Sequence, residues 1–82
     1  MSDNLSDERE RLKRRVRTVL RASRLDSDLS QRELAAKLGW TRNQVANVES
    51  GRRVANMDDF FLIAKAIRVD PEALLRRVLQ WR

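Results

Sequence analysis

SQRELAAKLGWTRNQVANVESG, residues Ser30–Gly51, decides the fold, because it reads as two short helices joined by a glycine turn. Ser30 is followed three residues later by Glu33, a capping box in which each side chain satisfies a free backbone N–H at a helix start. The apolar residues that follow recur at helical spacing: Leu34, Ala35 and Leu38. Gly39 is expected to end this helix, since glycine adopts the left-handed conformation without a steric penalty from Cβ.

The second half repeats the pattern, with Thr41 and Gln44 as its capping box and Gly51 as its C-terminal glycine. The helix between them should bury Val45 and Val48 against the first helix. At about 100° per residue, the polar and small residues fall on one free face about 140° wide. That face consists of Arg42, Asn43, Ala46, Asn47 and Ser50.

These features resemble the helix-turn-helix of the lambda repressor and Cro type, often called the Xre family. The matching buried and turn positions are Leu34, Ala35, Leu38, Gly39, Val45 and Val48. The resemblance extends from about Val16 to Leu75 and includes the ending Asn47–Gly51 of the second helix. It is more specific than a lone glycine signature, because caps, turn and core spacing agree.

The resemblance implies that the second helix enters the major groove of double-stranded DNA. Arginine can donate two hydrogen bonds to guanine, and asparagine can form two with adenine. The predicted base contacts are therefore Arg42, Asn43 and Asn47, with Ala46 as a small residue able to approach a thymine methyl group. The alternative is that these are ordinary solvated side chains.

Phosphate contacts are also implied by the resemblance, and they position the protein without reading sequence. Gln31, at the positive end of the first of the two helices, is the family's usual phosphate ligand. The other predicted contacts are Thr41, Gln44, Arg52 and Arg53. For Thr41 and the two arginines, a helix cap and solvated charges are nearly equal alternatives, while Gln44 is expected to brace Gln31 as well as to cap.

A structural ion pair between Arg24 and Glu49 is a further implication of the resemblance. A buried pair would leave a costly unpaired charge if one partner were replaced, roughly 3 to 5 kcal/mol. An exposed pair would contribute at most about 1 kcal/mol. The sequence leaves both possibilities open.

The remaining segments predict three more helices, giving an all-α, compact five-helix fold of the lambda-repressor type. The first runs from about Asp7 to Arg24, with residues 7–15 extending it at the N-terminus. Asp28 stands where the family usually has glycine, and aspartate tolerates a left-handed conformation better than most residues. Asn56 should cap the fourth helix, and Asp70 followed by proline should start a fifth over about 71–80. The predicted inner stripe of the fourth helix is Met57, Phe60, Ile63, Ala64 and Ile67.

Composition limits the possible functions. A chain of 82 residues has room for a single domain, 1–82, and too little interior for an enclosed substrate pocket. Its net charge of +6 favours polyanionic partners. Neither cysteine nor histidine is present, so an enzyme, a thiolate or imidazole metal site and a bound cofactor are not expected. With no apolar run long enough for a membrane span and no signal-peptide pattern, the expected location is the cytoplasm.

The chain has more apolar side chains near its C-terminus than one such core should need. They occupy too broad an arc to face a single side and predict a symmetric homodimer interface formed by Phe61, Leu62, Val78, Leu79 and Trp81. The alternative is a C-terminal helix that folds back on its own domain. A dimer would place two reading helices about 34 Å apart and predict a near-palindromic site.

We therefore expect a sequence-specific, homodimeric transcriptional regulator, a repressor or autoregulator, without a catalytic or metal site. The alternative is an antitoxin-like or adaptor protein that binds mainly a protein partner through Phe61, Leu62 and the C-terminal helix. RNA binding is a weaker alternative, because no aromatic stacking platform is visible. The arginine-rich stretch 9–21 either touches phosphate or is a solvated face, and the solvated face is favoured.

Overall fold

A computed structural model describes residues 4–81, and within that range the chain forms five α-helices. The helices are α1 (Ser6–Asp26), α2 (Gln31–Leu38), α3 (Arg42–Ser50), α4 (Met57–Ala66) and α5 (Pro71–Gln80). The all-α, five-helix prediction is confirmed. None of the helices in the described range is both long enough and apolar enough to cross a bilayer.

Helices α2 to α5 begin directly after the residues whose side chains were predicted to cap them. The cap oxygens accept hydrogen bonds from the backbone three residues on: Ser30 from Glu33 at 3.0 Å, Thr41 from Gln44 at 3.2 Å, Asn56 from Asp59 at 2.8 Å and Asp70 from Ala73 at 3.2 Å. Three of these are full capping boxes, at Ser30, Thr41 and Asn56. The bonds that Glu33 shares with the Ser30 backbone N–H and side chain hold the pKa of the Glu33 carboxyl below its usual value.

Left-handed residues turn the chain between helices. Gly39 at φ 70° and Gly51 at φ 86° end α2 and α3, and Asp28 at φ 59° follows α1 as expected. Arg68, at φ 61°, is a fourth such position that the sequence did not indicate. There Val69 N–H donates to the Ala64 carbonyl at 2.9 Å, a wrapping bond that offsets the unfavourable conformation of an arginine.

The core lies between the five helices: α2 packs on α3 and α4, α1 packs on α3 and α5, and α4 packs on α5. Its buried apolar residues are Val19, Leu20, Leu34, Ala35, Val45, Val48, Phe60, Ile63, Ala64, Ile67, Leu74 and Val78. Leu74 and Val78 belong to α5, which therefore folds back on α1 and α4. The Arg77 guanidinium reinforces this packing by donating to the hydroxyl of buried Ser23 at 2.7 Å.

Two sequence predictions about packing are wrong. Val78 was assigned to a dimer interface, but it is 2% exposed in the core of its own chain. Met57 was placed on the inner stripe of α4, but it is 65% exposed because it occupies the first turn, where the stripe extends past the edge of the core. Periodicity gives the direction of a side chain and not where its packing partners end.

Helix α1 is longer than predicted at both ends, by one residue at the N-terminus and two at the C-terminus. Every described residue from Asn4 to Arg11 is exposed, whereas Val19 and Leu20 are fully buried. The first turns of α1 therefore extend beyond the packed part of the domain. With this extension included, the described part of the chain is 46 Å long.

Candidate nucleic-acid interface

The polar face predicted on the second helix of the motif is the outer face of α3. Val45 and Val48 are each 2% exposed and anchor the opposite side of the helix. Arg42 and Asn43 are exposed, while Ala46 and Asn47 are half-buried at the edge of the face. Among residues 4–81, none of the polar side chains of Arg42, Asn43 and Asn47 takes part in a hydrogen bond or ion pair. Their donors and acceptors are free for a partner.

Arg24 of α1 and Glu49 of α3 form a buried, two-pronged ion pair. The Arg24 Nε atom donates to Glu49 at 2.7 Å and an η nitrogen donates at 3.0 Å. The two side chains are only 7% and 5% exposed, which answers the question that the sequence left open. Arg24 also donates to the Leu29 carbonyl at 2.7 Å, so its charge is distributed over several bonds.

Gln31 joins this network from the start of α2, because its Nε2 atom donates to Glu49 Oε1 at 3.0 Å. The predicted bracing of Gln31 by Gln44 is wrong. The Gln44 side-chain oxygen instead accepts from the Thr41 backbone N–H at 2.7 Å, completing the cap of α3. A single carboxylate, that of Glu49, therefore holds the first turn of α2 and the last turn of α3 in a fixed relation to α1.

The two arginines after α3 have different surroundings. Arg52 is exposed, and it has no side-chain partner within the described part of the chain. The Arg53 guanidinium lies 4.6 Å from the centre of the Trp40 ring and 3.3 Å from both oxygens of the buried Asp59 carboxylate. Arg53 thus fastens the loop after α3 to the turn after α2 and to α4.

Asp59 has a role that the sequence did not reveal. Its carboxylate accepts a hydrogen bond from the Asn56 backbone N–H at 3.2 Å, which completes the capping box of α4. Asp59 also binds the Arg53 guanidinium, which lies over the Trp40 ring. Its capping role has a local sequence signal, but its pairing with Arg53 depends on how α4 and the loops are placed in space.

The apolar residues predicted to cover a partner remain largely accessible on α4 and α5. Phe61 is 49% exposed, Leu62 51%, Leu79 61% and Trp81 41%. Leu75, which precedes Leu79 by one turn of α5, is 45% exposed. The alternative that α5 folds back on its own domain is also correct for Leu74 and Val78. The helix therefore has one face in the core and one face in solvent.

Comparison with protein-family models gives a match to the helix-turn-helix family over residues 20–74. That range includes α2, α3 and α4 completely, with the second part of α1 and the first turn of α5. A comparison with curated proteins finds no match.

Several solved structures share the fold. An XRE-family like protein from Pseudomonas syringae pv. tomato str. DC3000 superposes with a TM-score of 0.87 and 26% identity, covering 95% of each chain. The restriction-modification controller protein C.Esp1396I, as a tetramer in complex with its natural 35 base-pair operator, gives 0.71 and 26%, covering 84% of this chain and 96% of the controller. The clp gene regulator ClgR from C. glutamicum gives 0.77 and 20%, covering 83% of this chain and 88% of the regulator.

Proposed function

Because the chain belongs to the helix-turn-helix family of the lambda repressor and Cro type, we propose that it is a transcriptional regulator that binds DNA sequence-specifically. The observation that carries this proposal is the outer face of α3. The side chains of Arg42, Asn43 and Asn47 on this face have no internal partners among residues 4–81. The helix beneath them is fixed by caps, by two buried valines and by the Glu49 network.

Such a face suits the major groove. Arg42 can donate two hydrogen bonds to guanine, and Asn43 and Asn47 can each form two with adenine. Around the axis of α3, Ala46 lies between Arg42 and Asn43, where its methyl group can contact the methyl group of thymine. These contacts would determine which base pairs are preferred, and each well-formed pair of bonds is worth about 1–3 kcal/mol against a wrong base.

Phosphate contacts would come from the two helix starts and the loop after α3. Gln31 uses one amide hydrogen on Glu49 and retains a second, and the free backbone N–H groups of the first turn of α2 lie beside it. Thr41 and Gln44 lie at the start of α3, where the Gln44 side-chain oxygen completes the cap and its amide donors remain free. Arg52 adds a free charge, whereas we assign Arg53 to holding the loop.

The regulator is proposed to act as a homodimer on a near-palindromic operator, as a repressor or autoregulator. The surface that would join two copies consists of Phe61, Leu62, Leu75, Leu79 and Trp81. So many exposed large apolar side chains on two adjacent helices are typical of an interface. The controller protein C.Esp1396I, 26% identical, binds its operator as a tetramer, which supports an oligomer here.

Binding selection from a genomic DNA library with the purified protein tests the proposal. We expect a preferred sequence to be enriched, and Asn43→Ala to lower affinity for it about 5- to 150-fold while weakening binding to unrelated DNA far less. Gln80→Ala is the matched control, since it removes an exposed side-chain amide from α5, far along the chain from α3. Enrichment of no sequence, or an unchanged preference in Asn43→Ala, would refute the assignment.

A further inference from the structure

A row of basic side chains runs along the N-terminal part of α1. Arg9, Lys13 and Arg17 are spaced four residues apart, so they lie on one side of the helix about 6 Å from one another along its axis. All three line the same surface groove, together with Gly51 and Arg53 from the chain that follows α3. We call these three residues the α1 row.

The α1 row reaches the C-terminal end of α3. The Arg17 guanidinium packs so closely on Gly51 that a Cβ atom at that glycine would lie 2.8 Å from one of its η nitrogens. Gly51 directly follows α3, and the next residue is Arg52, which has been proposed above to contact phosphate. The α1 row is therefore continuous with the candidate DNA surface and leads away from it along α1.

Arg9 and Arg17 have no acidic partner among the described residues, and Glu8 and Glu10, which flank Arg9, are paired with other side chains. Glu8 lies 3.7 Å from Arg11, and Glu10 lies 3.4 Å from Lys13. The solvated face favoured from sequence therefore applies to Arg11 and, in part, to Lys13. The charges of Arg9 and Arg17 have no partner within the described part of the chain.

The groove beneath the row has an apolar floor and a volume of about 240 Å³. The floor is formed by Leu12, Val16, Val48, Val54 and Ala55. Apolar surface of this kind accommodates the aliphatic stems of arginine and lysine while their charged ends stay in water. Because the stems are supported, less side-chain entropy is lost when the charged ends bind a partner.

We propose that the α1 row binds the DNA backbone next to the base pairs that α3 reads, extending the contact beyond the helix-turn-helix. The inference rests on the proposed function. Three positive charges at regular intervals match a partner whose negative charges also repeat, and Arg17 at one end of the row packs on Gly51, the residue before Arg52. A single small anion would engage only one or two of them.

The test is the salt dependence of binding to a duplex that carries the selected site with ten or more flanking base pairs on each side. Removal of one phosphate-binding charge reduces the steepness of log affinity against log salt concentration by about 0.9. We expect Arg9→Gln/Arg17→Gln to reduce it by about 1.8 and to weaken binding equally on preferred and unrelated duplexes. Shortening the flanks of the duplex should reduce the wild-type steepness in the same way.

Arg14→Gln/Arg15→Gln is the matched control, because it removes the same charge from the same helix on the side that faces Trp81. It should leave the salt dependence close to the wild-type value. Arg9→Gln alone should reduce the steepness by about 0.9. Because Arg9 is exposed and has no partner, this variant tests the row without removing Arg17, whose loss could affect folding. Equal salt dependence for Arg9→Gln/Arg17→Gln and wild type, or equal reductions in both double variants, would overturn the proposal. Failure of the wild type to select any sequence would instead refute the proposed function.

Discussion

At the scale of single residues, the carboxylate of Glu49 joins three helices through its hydrogen bonds. It accepts hydrogen bonds from Arg24 of α1 and Gln31 of α2 while being part of α3. A buried charge without its partner is costly, and both charges here are almost completely removed from solvent. The stability of the domain should therefore depend strongly on keeping both members.

We expect Glu49→Leu, which leaves Arg24 unpaired, to lower the free energy of unfolding by about 3–5 kcal/mol. Urea denaturation followed by circular dichroism measures this decrease, provided that the slope with denaturant stays constant. The double variant Arg24→Met/Glu49→Leu should recover much of it, because neither charge then remains buried alone. A decrease below about 1 kcal/mol in the single variant would show that the pair behaves as an exposed one.

At the scale of helices, the stability of the short helix α3 depends on the residues at its ends. Helix α3 has nine residues, which is too few to be stable in isolation. Its start is fixed by the reciprocal bonds between Thr41 and Gln44, and its end by the left-handed Gly51. Arg42 and Asn43, which we propose to contact bases, come directly after the cap, so their position depends on it.

Thr41→Ala should lower the free energy of unfolding by about 1 kcal/mol, since a free N–H of the first turn would have no acceptor. Amide hydrogen exchange should become faster at Asn43 and Gln44 than at the equivalent positions of α2. Thr41→Ser retains the hydroxyl and should restore both values. If Thr41→Ala were as stable as Thr41→Ser but only Thr41→Ala bound DNA weakly, the hydroxyl would matter to phosphate and not to the cap.

The helices themselves could be predicted because their signals are local. Capping residues, glycines and one proline set the boundaries, and each cap oxygen accepts the expected backbone bond. The tethering of Arg53 by Trp40 and Asp59 could not be predicted, because it depends on how α4 is placed relative to the turn after α2. Val78 was wrongly assigned to the interface together with Leu79 for a related reason: adjacent apolar residues on a broad stripe differ only in which neighbour reaches them.

At the scale of the whole molecule, the apolar side chains of α4 and α5 are only partly buried. Leu74 and Val78 bury one face of α5 in the core, while Leu75 and Leu79 of α5 and Phe61 and Leu62 of α4 remain exposed. Water-exposed apolar side chains of this size are stabilised by association with a partner surface. The proposed dimer would cover them without changing the monomer fold.

Light scattering during size-exclusion chromatography at tens of micromolar should give the mass of a dimer. Phe61→Glu/Leu79→Glu should weaken association by about 100-fold or more, because two charges would be buried without partners at the interface. Leu25→Glu is a matched control, since Leu25 of α1 is similarly exposed at 50%. A wild-type monomer would contradict the dimer and would favour a different protein as the partner of this surface.

The free outer face of α3 has a consequence for how such a regulator can diverge. Packing and polar bonding of the helix are carried by Val45, Val48 and Glu49, so the side chains at Arg42, Asn43 and Asn47 are not needed to hold it in place. New target sequences could be acquired by substitution at those three positions with little effect on stability. Duplicated copies of the gene could thus separate their regulatory circuits in a few steps, without first having to repair the fold.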